Sequence, residues 1–181
     1  MTGETYGEEG ARQRTRAFLL AEAEKPLSDI LHSVEAALSL FRISLENVSE
    51  AQAAFAPEGE GDEAYSIAQV AQHVAGSSVI MASRLVAVAH GDEPAPGTGP
   101  GSFGNVRSTS ILELIGALEP ARIALREAEV AIKGAPLAGS VQHPAFGELN
   151  CAAYLRMIGL HIEDHVHQVA KIKSQPRYPS T

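Results

Sequence analysis

The stretch His161-Ile-Glu-Asp-His165-Val-His-Gln168 places two histidines four residues apart. In an α-helix a four-residue step turns the chain by about 400°, so both imidazoles emerge on one face, one turn apart, within reach of a common ion. Spacing alone is weak support, because seven histidines in 181 residues produce such a pair by accident about one time in four. Position decides more. Cys151, Leu155, Ile158, Ile162, His165, Val169 and Ile172 recur at alternating four- and three-residue steps, so His165 interrupts an apolar seam and His161 lies at its edge. A buried imidazole without a partner costs about 1–3 kcal/mol, so both rings need one.

His73 is the best third member of the group. Val70 and Val74 flank it, and the small residues Gly76, Ser77 and Ser78 that follow leave space beside it. Three neutral imidazoles with positions left open for water form a donor set suited to a catalytic metal, which polarises a bound group or acidifies a bound water or thiol. Imidazole suits zinc and nickel best here, with iron or manganese as further candidates. Two other readings stay open: His73 as a core histidine bonded to a carbonyl, and a polar partner other than a metal for every ring.

The neighbours of this trio sort by helical angle. Gln168 lies seven residues past His161, about 20° away around the helix, and is either a group that orients a ligand or touches a cofactor or substrate, or an exposed polar residue. Asp164 falls on the flank, where it either orients an imidazole or is solvated. His167 is turned about 120° away and reads as a surface residue. His143 precedes the last helix and either hangs over the site or caps that helix, while His32 sits beside the apolar seam of an earlier helix. Cys151, on the seam, should be buried and inert rather than nucleophilic.

Four amphipathic segments must carry these residues. Leu27, Ile30, Leu31, Val34, Leu38, Phe41, Leu45 and Val48 mark the first, a helix of about six turns that follows Pro26. Ser66-Ile-Ala-Gln69 is a capping box opening a second helix from about Ile67 to Ala89, with Gly91 as its stop. Ser110-Ile-Leu-Glu113 opens a third, running to Lys133 with a kink expected at Pro120. The fourth is the His161 helix. No segment alternates with period two long enough for a convincing strand, so the fold class is all-α, a four-helix bundle. The loop over residues 91–107 is long enough for a crossover or a lid, and equally reads as a floppy surface loop.

The resulting organisation is a polar extension with a short helix at 1–25, a bundle at 26–174 and a tail at 175–181, with residues 1–11 disordered and the short helix starting at Arg12. Arg12, Arg14 and Arg16 alternate with polar residues and read as a solvated face. The net charge of −8 opposes binding to nucleic acid or to an acidic membrane surface. A lone cysteine and an N-terminus without an apolar leader region point to the cytoplasm. A small-molecule substrate is the expected partner, and the commonest assembly for such a bundle is a homodimer.

Two motifs carry a family resemblance. Tyr65-Ser-Ile-Ala-Gln-Val-Ala-Gln-His73 resembles the second-helix motif of the DinB/YfiT-like superfamily. His143-Pro-Ala-Phe-Gly-Glu-Leu-Asn150, running into the helix with His161 and His165, is similar to that family's loop and metal-binding helix in order and spacing. The likeness spans Pro26 to Lys173. It implies up-down-down-up connectivity, His73, His161 and His165 as metal ligands, and, in some members, metal-dependent transfer or isomerisation with a low-molecular-weight thiol. The chain departs from the pattern at Tyr65 and Tyr154, where tryptophan is common; it has no tryptophan at all. An enzyme of this kind, or a hydrolase, and a non-catalytic bundle that binds metal or a small ligand in a stress response are the two functional readings.

Overall fold

The computed structural model describes residues 4–59, 64–96 and 108–180, with side chains from residue 9 onward within them. Seven helices and one small hairpin make up the described residues: α1 (Glu4–Glu22), α2 (Leu27–Ser44), α3 (Glu50–Ala54), α4 (Ile67–His90), α5 (Ile111–Gly116), α6 (Leu118–Ile132), β1 (Ser140–His143), β2 (Gly147–Asn150) and α7 (Cys151–Lys173). The all-α class holds, and α2, α4, α6 and α7 form the bundle around one core. The 91–107 loop lies mostly outside the described residues.

Helix α7 is the hub, packing against both α2 and α4, while α6 covers the other side of α4. Side-chain pairs give the directions. His73 meets His161, and Arg84, further along α4, meets Tyr154, which is earlier in α7, so these two helices run antiparallel. Val34 packs at Gly159, and Ser44, further along α2, accepts from Lys173, further along α7, so those two run parallel. Both relations are ones that up-down-down-up connectivity requires. At Gly159 the parallel pair packs tightly: a Cβ there would stand 3.2 Å from Val34 Cγ2 and 3.0 Å from an Arg156 nitrogen.

Local chemistry accounts for the starts of α4 and α7 and the stop of α4. Ser66 and Gln69 form the expected capping box, each side chain taking the other's backbone N–H, and Gly91 ends α4 in the left-handed conformation at φ 80°, which costs glycine little because it has no Cβ. Asn150 caps α7 by accepting from Ala153 N.

The structure corrects several expectations. The first helix begins at Glu4 rather than Arg12, and Leu19 and Ala23 at its end belong to the main core. The second stops at Ser44 because Asn47 turns into positive φ, and a separate short helix follows under a Ser49–Gln52 capping box. No side chain caps the helix starting after Ser110; its own N–H is already taken by the Ser108 hydroxyl. Instead of a kink at Pro120, the chain breaks between Gly116 and Leu118. Proline lacks the N–H that would bond back to residue 116, and its ring crowds that carbonyl, so the new helix restarts with Pro120 in its first turn. Strands also occur. Ser140–His143 pairs antiparallel with Gly147–Asn150, with Val141 and Leu149 buried on one face. Each strand is only four residues long, too short for a period-two signal to stand out.

Candidate metal centre

Two facing helices bring the three histidines together. His73 lies in the second turn of α4 and His161 and His165 in the middle of α7, and one ligand-capable atom from each falls within 4.8 Å of the others. His73 Nε2 is 3.1 Å from His161 Nε2. The three ring centres are mutually 4.5–5.0 Å apart, with each pair of rings edge-on. All three side chains are half-buried, so the cluster is neither sealed in the core nor spread over the surface.

Neighbouring groups set the protonation of these rings. Burial, then the closeness of His165, His73 and His143, pushes His161 down to about 3, so it is neutral at pH 7. The Ser77 hydroxyl lies 3.2 Å from His161 Nε2, one turn along α4 from His73. His165 Nδ1 donates to Gln168 Oε1 at 2.7 Å, which puts its proton on Nδ1 and its lone pair on Nε2. Gln168 thus reaches the cluster through a ligand-capable ring, as its angle on the helix suggests.

The other candidates divide. His143 ends β1, stacks on Phe146 with ring centres 4.7 Å apart and lies edge-on to Tyr154 at 6.4 Å. Its Nδ1 accepts from the backbone N–H groups of Ala145 and Phe146, which leaves its proton on Nε2. Burial first, then Arg84, lowers its pKa. It neither caps α7, a role Asn150 fills, nor belongs to the trio. His32 and His167 are exposed and do not belong to the cluster. Asp164 is exposed too; partial desolvation raises its carboxyl, against the opposing pull of His165 and His167. Cys151 is buried at the start of α7, its Sγ 3.1 Å from the Ala138 carbonyl, and burial raises its pKa. That thiol is poorly suited to act as a nucleophile.

A family model described as the DinB superfamily matches residues 33–169, about three quarters of the chain and all three histidines. The chain belongs to the DinB superfamily. No curated protein and no solved structure matches it. Within this DinB-superfamily chain, the tyrosines at 65 and 154 are placed differently. Tyr65 packs against the core beside α4, whereas Tyr154 is buried at 1% exposure with its hydroxyl bound to Arg84.

Sequence reasoning missed two participants. Ser77 follows His73 by four residues, the same step that singled out His161 and His165, so the signal was present. Arg84 interrupts the apolar run Val79 to Ala89 seven residues after Ser77, which puts both on one face of α4. Among the described residues no helix is long and apolar enough to cross a membrane.

Proposed function

We propose that this DinB-superfamily protein binds one divalent metal ion on His73, His161 and His165 and uses it on a small molecule. The chemistry is that of a metal-dependent S-transferase or isomerase working with a low-molecular-weight thiol, or of a hydrolase. The convergence of three imidazoles from two helices is the observation that carries the reading. The donor set fits such an ion. Two nitrogens at about 2.05 Å from a tetrahedral centre stand about 3.3 Å apart, and His73 and His161 present theirs at 3.1 Å. Zinc and nickel suit three neutral imidazoles best, followed by iron or manganese.

When bound, such an ion supplies Lewis acidity and lowers the pKa of a thiol or water beside it. The chain's own residues do the rest. His161 is held neutral by burial, so no proton has to leave before it binds metal at pH 7. Gln168 fixes the tautomer of His165, an arrangement that holds a ligating ring in place. Ser77 offers a hydroxyl beside His161, and His143 carries an Nε2–H, a neutral donor suited to developing negative charge.

A second reading keeps the metal and drops the turnover: a bundle that binds a metal or small ligand without chemistry. A third drops the metal, since the His73–His161, Ser77–His161 and His165–Gln168 contacts also form a polar network of their own. Elemental analysis of the purified protein separates the third from the others. The expected result is about one equivalent of metal per chain, with chelation lowering Tm by about 5–10 °C. No metal and no change on chelation would remove the proposal. Conversion of electrophilic substrates with thiol cofactors by the loaded protein, abolished in His73→Ala, distinguishes an enzyme from a binder.

A further inference from the structure

A guanidinium withdrawn from water without a counter-charge is costly, and among the described residues Arg84 is in that position. Arg84 is 7% exposed. Its Nη1 donates to the Tyr154 hydroxyl at 2.9 Å and its Nη2 to the Gln142 carbonyl at 3.1 Å. Its carbon stands 5.7 Å from the Tyr154 ring centre. The Nε is buried with no hydrogen-bond partner. Each of these contacts is neutral, and among the described residues no carboxylate lies within 4.0 Å of Arg84. A protein with 22 acidic residues and a net charge of −8 does not lack carboxylates to supply.

Position points to what the missing charge belongs to. On α4, Arg84 lies seven residues beyond Ser77; on α7, Tyr154 lies seven residues before His161. Seven residues turn a helix through about 700° and advance it about 10 Å. The Arg84–Tyr154 pair therefore sits on the same facing surfaces as the histidines, about 10 Å along the α4–α7 seam. His143 lies beside Tyr154. Its ring is 6.4 Å from that of Tyr154, its charge would be felt at both Arg84 and His161, and its two backbone donors leave Nε2–H available for an acceptor.

We propose that Arg84, with Tyr154 and His143, is the anion-binding end of the site and takes the single carboxylate of a small molecule whose other end reaches the three histidines. One unopposed guanidinium carries one charge, so a monoanion neutralises it where a dianionic phosphate would leave an excess negative charge in a chain that is already acidic. The inference rests on the histidine cluster as the reacting end of the site. It adds the substrate class: a thiol or electrophile bearing a carboxylate about 10 Å from its reacting atom.

The test uses full-length protein loaded with Co2+, whose thiolate charge-transfer absorption reports binding, and two thiols of equal length, 6-mercaptohexanoate and 6-mercaptohexanol. The carboxylate is expected to bind about tenfold more tightly or better, with the advantage lost in Arg84→Gln and partly kept in Arg84→Lys. Equal affinity of the two thiols for the wild-type protein would overturn the subsite, and that comparison needs no variant to fold. So would an undiminished advantage in a folded Arg84→Gln. If the protein takes up no Co2+, the metal proposal fails on its own, and the subsite is judged on metal-free protein by Tm. There, hexanoate but not hexanol should stabilise the wild type, with the gain lost in Arg84→Gln; no preference for hexanoate would overturn it.

Discussion

Helix α7 has two working sides that treat buried polarity in opposite ways. Toward α1 and α2 it presents Arg156, which is 8% exposed. Its charge is answered from two elements, by Glu163 on its own helix at 3.1 Å and by Glu22 at the end of α1 at 3.6 Å. Toward α4 it presents Tyr154, His161 and His165, and the arginine met there, Arg84, has only a phenol and a carbonyl. Each arginine has a buried Nε without a hydrogen bond, but Arg156 has two carboxylates within ion-pair range while Arg84 has none among the described residues. The difference marks the first side as one that holds the bundle together. The second brings three imidazoles together with an arginine that has no carboxylate partner among the described residues, a combination that packing alone does not call for.

The largest effect should come from breaking the closed side. Arg156→Met leaves Glu163 without its cation and Glu22 with Lys25 alone, and should cost about 2 kcal/mol, reduced from the full penalty for a buried pair because both carboxylates retain some solvent. Urea denaturation measures it, and metal content per folded chain should be unchanged. If metal is lost along with stability, the two sides are not independent.

A smaller effect is expected on the open side. Gln168→Ala removes the acceptor that fixes the His165 tautomer and should weaken metal binding by about 10- to 100-fold. Competition with a chelator of known affinity reads this change, while Tm of the metal-free protein moves little. Unchanged metal affinity would leave Gln168 as a bystander.

The smallest effect, per unit of the variable, separates the sides by pH. His161 has a folded-state pKa near 3, below its ordinary value of 6.5. The stability it contributes is therefore present above about 6.5 and is lost as pH falls toward 3, at no more than about 1.4 kcal/mol per pH unit. Hydrogen bonding from Lys25, helped by Arg156, lowers Glu22 below 4.5, so its contribution persists until the pH falls below that. Metal-free protein should thus begin to lose stability between pH 6.5 and 4.5, through the histidine side alone. A flat stability curve over that interval would show that His161 is not held neutral by burial.

Much of this was legible in the residues because the signals are local. The four-residue step of His161 and His165, the capping box at Ser66, the stop at Gly91 and the apolar seam through Cys151, Leu155 and Ile158 all depend on helical periodicity, which the sequence carries directly. The placing of Gln168 beside the cluster and of Cys151 in the core follows from the same angles. Where the reading failed, the deciding interaction lay beyond one turn or competed with the local rule. Ser108 pre-empted the cap at Ser110, Pro120 broke a helix upstream of itself, and the hairpin at 140–150 was too short to announce itself.

The four bundle segments, their apolar faces and the pairing of His161 with His165 were thus settled by the sequence, since a regular backbone converts spacing into angle. Which residue of α4 stands opposite which residue of α7 was decided only by tertiary structure. That register is set by how the whole core packs, including the close approach at Gly159. It brings His73 to His161, and it leaves Arg84 facing a tyrosine where a carboxylate would have closed the charge.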